Sequence, residues 1–89
     1  MENIYSKRVS EELKSLLGLI GASYDDVKDK LNWHKSQISK FLSGTQTIKI
    51  DTFVLFCKVL EELNSEYNEP VPPELLKPWE ILKRALSEQ

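Results

Sequence analysis

Cysteine occurs once in this chain, at Cys57, and histidine once, at His34. A lone cysteine forms no internal disulfide, and one His with one Cys falls short of the three or four ligands a zinc site needs, so no metal and no cofactor are expected. The three glycines, Gly18, Gly21 and Gly44, are not spaced as a phosphate-cradling loop requires. No apolar run approaches the roughly 20 residues that cross a bilayer, and nothing at the start resembles a signal peptide. A cytoplasmic protein with no membrane partner is therefore expected. Candidate catalytic groups are equally scarce. Asp25, Asp26 and Asp29 fall at helical spacing on an exposed face, where solvated charge is the ordinary reading. No catalytic residue is assigned, and an enzyme is not expected.

An excess of basic charge is missing too: 12 Lys and Arg stand against 14 Asp and Glu, a net charge of −2. The distribution is uneven. Residues 1–49 carry eight cations and six acids, whereas residues 50–89 carry four cations and eight acids. From Lys30 to Lys49 there are four lysines and no acid. A small local patch of this kind suits modest, salt-sensitive binding to a polyanion by two or more subunits.

What the chain does have is helical periodicity. At 89 residues it can form one modest core plus a small appendage. Val9, Leu13, Leu16, Leu17 and Ile20 recur at intervals of three and four, predicting a first helix. Met1 to Lys7 reads as frayed and Ser10 as a cap, with Ser6 an earlier alternative; Gly21 supplies the stop. Ser23 to Gly44 then reads as two short helices joined by a tight turn at Leu31-Asn32-Trp33-His34. Ser23 caps the first helix, Tyr24 to Leu31, and Asp25 and Asp26 lie in its first turn, where carboxylates favour the helix dipole. Val27 and Leu31 form its inward pair. The second helix runs from Lys35 to Leu42, with Ile38, Phe41 and Leu42 inward and Gly44 after its end. Lys35, Ser36, Ser39 and Lys40 face outward.

From Leu13 to Leu60 the chain resembles the Cro/repressor-type, or XRE-like, helix-turn-helix family of small bacterial and phage regulators. The resemblance rests on Gly21, Val27, Leu31, Trp33, Ile38 and Gly44, followed by an apolar stripe of Ile50, Phe53, Val54, Cys57 and Leu60. The run Lys35-Ser36-Gln37-Ile38-Ser39 is also similar to the recognition helix of the phage lambda-type lysogeny activator, which keeps activation open beside repression. There are departures. Tyr24 stands where members carry a phosphate-binding Gln, and Lys28 where they carry Ala. Leu17 and Leu42 replace a frequent Arg–Glu pair; two packed leucines and a buried ion pair can be close in free energy.

The resemblance implies sequence-specific binding of double-stranded DNA by a homodimer on a near-palindromic operator. It assigns base readout to Lys35, Ser36, Ser39 and Lys40. Lysine donates to guanine O6 and N7, and serine serves several bases. Backbone contacts fall to Tyr24, Lys28, His34, Gln37, Ser43, Thr45 and Lys49. His34 also reads as a surface histidine with no special role, and Thr45 to Lys49 as a plain solvated loop.

Ile50 to Leu63 predicts a fourth helix, capped by Lys49 or Asp51, with more apolar residues than one face requires. Ile50, Phe53, Val54, Phe56, Cys57 and Leu60 suffice for a core, leaving Leu55 and Val59 for a folded-back tail or a subunit interface. Asn64 to Pro73 reads as a polar, proline-rich linker. Glu74 to Lys77 makes at most one turn, and Pro78 opens a last helix through Leu86. Leu75, Trp79, Leu82 and Leu86 form an apolar seam on it that must dock in cis or across subunits. The expected architecture is an all-α, five-helix fold: a helix-turn-helix domain over residues 1–64, then linker and docking or dimerisation helix over 65–89. A protein-interaction module, an antitoxin or anti-repressor using the acidic C-terminal region, is the competing expectation.

Overall fold

The computed structural model describes residues 4–87. Five α-helices follow one another: α1 (Ile4–Ile20), α2 (Tyr24–Leu31), α3 (Lys35–Ser43), α4 (Ile50–Glu66) and α5 (Pro78–Leu86), with a 3₁₀ turn at Pro73–Leu76 before the last. The fold is all-α, with no strand among the described residues.

Helix α1 buries Val9, Leu13, Leu16, Leu17 and Ile20, the expected stripe. It begins well before Ser10, so residues 4–7 are helical rather than frayed, while residues 1–3 lie outside the described residues. Ser10 is no cap. It is fully buried and donates its hydroxyl to the Phe41 carbonyl at 3.1 Å, satisfying a group near the end of α3 that has no intrahelical donor. One turn earlier, Ser6 Oγ accepts from the Ile48 amide at 3.0 Å. Two serines four residues apart thus tie α1 to both sides of the α3–α4 connection.

Gly44 sits in that connection with φ +79°, and a Cβ there would stand 3.0 Å from Lys7 Cα. Backbone conformation and close approach to α1 both require glycine. Leu17 and Leu42 are both buried in the common core, so apolar packing occupies the two positions together.

Helix α4 runs to Glu66, three residues beyond Leu63, with Lys49 as its N-cap residue. Phe53, Phe56, Cys57 and Leu60 are buried as expected. Ile50 and Val54 are not; they are exposed, because α5 packs chiefly on α1 and leaves that flank of α4 open. Val59 is buried and cannot serve an interface. Its spacing from Glu62 and Glu66 puts it on the flank that meets α2, since both acids pair with Lys30. Leu55 is exposed.

The segment expected to be a plain linker is fixed in place. Asn64 is buried, and its side-chain amide donates to the Val71 carbonyl at 2.7 Å while its oxygen accepts from the Val71 amide at 3.0 Å. This pair works like one rung of a β-ladder and seats Val71 in the core. Asn68 and Glu69 turn the chain with φ of 68° and 54°.

The final helix starts at Pro78 and ends at Leu86, as expected, but the docked face is different. Leu76, Ile81 and Ala85 are buried, whereas Leu75, Trp79 and Leu86 are exposed and Leu82 is half-buried. The register is set by Arg84, which donates from Nε to Glu12 of α1 at 2.7 Å and from a terminal nitrogen to the Leu75 carbonyl at 2.8 Å. With Arg84 turned to α1, the face nearly half a turn away, carrying Trp79 and Leu86, must point outward.

Candidate nucleic-acid interface

Helix α2 is started by reciprocal bonds: the Asp26 amide donates to Ser23 Oγ at 3.3 Å and the Ser23 amide to Asp26 Oδ2 at 2.9 Å. Tyr67, at the end of α4, donates its hydroxyl to the same carboxylate at 2.6 Å. That bond, with the Ser23 amide, holds the Asp26 carboxyl below its ordinary range, and the tyrosine's own pKa is raised by the partner. Lys30, bonded to Glu66 and 3.5 Å from Glu62, is held above the usual lysine value by Glu66 first. These contacts fasten α2 to α4 and fix the base from which α3 projects.

The turn between α2 and α3 is made by Asn32, left-handed at φ 60°, whose amide donates to the Lys28 carbonyl at 2.8 Å. Asparagine tolerates that conformation better than most residues. Trp33 follows and packs edge-on to Phe41 at 5.6 Å, while Phe41 stacks on Phe56 at 4.9 Å. This aromatic cluster, with buried Ile38 and Leu42, determines which face of α3 looks inward. Lys35, Ser36, Ser39 and Lys40 are all exposed on the other face.

Six of the seven remaining candidates form three pairs. Gln37 Oε1 accepts from the His34 amide at 2.8 Å, which caps the start of α3. His34 itself is exposed. Ser43 donates to the Lys40 carbonyl at 2.6 Å, accepts from the Thr45 amide at 3.3 Å and lies 2.9 Å from Thr45 Oγ1. Both hydroxyls therefore shape the end of α3. Tyr24 and Lys28 lie on α2, the tyrosine half-buried against the core and the lysine exposed.

Gln37, Lys40 and Lys49 come together in a groove of about 420 Å³ between α3 and the start of α4, floored by Trp33 and Phe41. Gln46 and Thr47 line it too. Gln46 was missed by sequence reading, where its place in the connecting loop was the signal available. The groove ends at the first turn of α4, whose Lys49 cap contributes no side-chain hydrogen bond. Free helix-start amides there favour an anion, although Asp51, whose carboxylate accepts from the Thr52 amide at 2.7 Å, brings a negative charge to the rim.

The stretch without acids in sequence is not free of them in space. Asp25 reaches Lys35 at 3.4 Å, and Lys30 is turned away to α4. The free basic footprint is smaller than the sequence implies. Elsewhere Cys57 is buried and its thiol is pushed up to about 12 by desolvation, which leaves it unreactive. Among the described residues no three His, Cys, Asp or Glu side chains converge as a metal site requires, and no helix is long and apolar enough to cross a membrane. Compared with known proteins, the chain matches no family model, no curated protein and no solved structure, so the case for this interface rests on its own residues.

Proposed function

We propose that the chain is a sequence-specific DNA-binding transcriptional regulator, acting as a homodimer on a near-palindromic site with α3 as the reading element. The observation that carries this is the α2–α3 joint: two short helices meet at a left-handed Asn32, and the second presents Lys35, Ser36, Ser39 and Lys40 on one outward face. Nine helical residues give α3 a length near 13 Å, and a helix fits the roughly 12 Å major groove. Lys28, His34, Gln37 and Lys49 are the phosphate donors that remain available, with Gln46 added from the groove. The resemblance of Leu13 to Leu60 to Cro/repressor-type regulators favours the same reading. Occupying an operator is enough to block a promoter, so repression needs no further surface. Binding is cytoplasmic and uses no cofactor.

Salt dependence of DNA binding tests the proposal. With few free cations, the slope of log affinity against log salt is expected near −3 to −5 per subunit. Lys28→Ala and Lys49→Ala each reduce it by about one. Binding that ignores both substitutions and the salt concentration would overturn the reading.

A second reading, a protein-interaction module of antitoxin or anti-repressor type on this fold, is favoured by the net charge of −2 and by exposed Leu75, Trp79 and Leu86. The two roles can coexist in one chain.

A further inference from the structure

The exposed apolar side chains on α4, α5 and the start of α1 are not scattered. Tyr5, Ile50 and Leu86 rim a groove of about 230 Å³ whose floor includes Val9 and Phe53, with Leu82 along its wall. Helices α4 and α5 run past each other in opposite directions: Ile50 lies beside Leu82 and Leu86, and Glu61 pairs with Lys77 at 3.6 Å. Val54, one turn after Ile50, and Trp79, two turns before Leu86, therefore extend the same strip. Tyr5, Ile50 and Trp79 are 60%, 67% and 66% exposed, far more than side chains of this kind usually show in a group.

We propose that this strip is where a second copy of the chain docks, about a two-fold axis beside the groove. Three observations favour a second copy over an unrelated partner. The first is area. The two aromatics and four aliphatics present on the order of 500 Å² of apolar surface per copy, most of the roughly 800 Å² per partner that a stable interface needs. The second is charge. Helical spacing puts Asp51 and Lys58 of α4 beside the strip, while Glu80 and Lys83 of α5 pair with each other at 3.5 Å, so the surroundings carry no excess of one sign to repel a second copy. The third is position. Ile50 follows directly on the Thr45–Lys49 connection, so pairing through the strip sets two α3 helices on either side of one axis. For this consequence the inference rests on the DNA-binding reading; for the association itself it does not.

Sedimentation equilibrium on the full chain tests it. Wild-type protein is expected to dimerise with a Kd of about 1–10 µM. Ile50→Glu and Leu86→Glu are each expected to weaken association at least about tenfold. Both positions tolerate charge in the monomer, Ile50 because it is exposed in the first turn of a helix, where a carboxylate is favoured. Leu55→Glu, on the other side of α4, should leave the dimer intact. Cooperative melting of each variant confirms folding. A wild-type chain that stays monomeric at about 200 µM would overturn the proposal, as would dimerisation broken by Leu55→Glu and untouched by the other two. The DNA arm is separable. A monomeric Ile50→Glu protein that still binds DNA weakly at low salt leaves the DNA reading standing, and a stable dimer that binds no DNA leaves the strip standing without it.

Discussion

Lys35 Nζ lies 3.4 Å from Asp25 Oδ1, across the turn that joins α2 to α3. Both side chains are exposed, at 60% and 66%, so the pair adds little to stability. Its importance is to the proposed interface. In the proposed complex, a carboxylate beside Lys35 would repel phosphate, and Lys35 would exchange Asp25 for a base edge on the right sequence. Asp25→Asn is therefore expected to change Tm by less than about 2 °C and to strengthen binding to arbitrary DNA by roughly three- to tenfold at low salt. The ratio of specific to non-specific affinity should fall. Anisotropy titrations against two duplexes measure both quantities, and an unchanged ratio would mean that Asp25 has no part in discrimination.

Asn64 is a buried polar residue with both ends of its amide bonded. Its two hydrogen bonds satisfy both backbone groups of buried Val71, which seats the tail in the core. Asn64→Ala strands a buried amide and a buried carbonyl, so a loss of about 2–4 kcal/mol in urea unfolding is expected. Since α3 packs chiefly on α1 and α2, DNA affinity of the folded fraction should not change.

The Asp26–Tyr67 bond gives stability a pH dependence with a definite sign. The Asp26 carboxyl is depressed in the folded chain, chiefly by the Tyr67 hydroxyl and then by the Ser23 amide. Its contribution is fully present above the unfolded value near 4 and is lost as pH falls through the lower folded value. Tyr67 and Lys30 are raised, so their contributions are present below about pH 10 and are lost on the alkaline side. Melting temperatures of wild type and Tyr67→Phe, followed from pH 7 down to about 2, should converge at the acid end. Parallel curves would show that the bond does not hold the carboxyl in solution.

Much of the fold was legible because its ends are marked locally. Ser23, the turn at Leu31 to His34, Gly44 and Pro78 each start or stop a helix through local chemistry, and α2, α3 and α5 begin where they place them. What sequence did not reveal depends on neighbours. Ser10 looks like a cap until α3 supplies a carbonyl for it, and Asn64 looks like the start of a linker until Val71 folds back onto it. Periodicity showed that α4 and α5 are amphipathic but not which flank is covered. The reach of Arg84 to Glu12 rotates Trp79 and Leu86 outward, and a sequence does not display that distance. At the interface the outward face of α3 was readable from spacing, whereas the approach of Asp25 to Lys35 and the entry of Gln46 into the groove required the fold.

Selection of sites from a random DNA pool by the purified protein, repeated with Lys35→Ala and Lys40→Ala, tests the central claim most directly. A dimer reading through α3 gives a motif with two related half-sites about one helical turn apart, roughly 10 base pairs between centres, whose information content falls at specific positions in each variant. Folded wild-type protein that enriches no sequence at about 50 mM salt would contradict it.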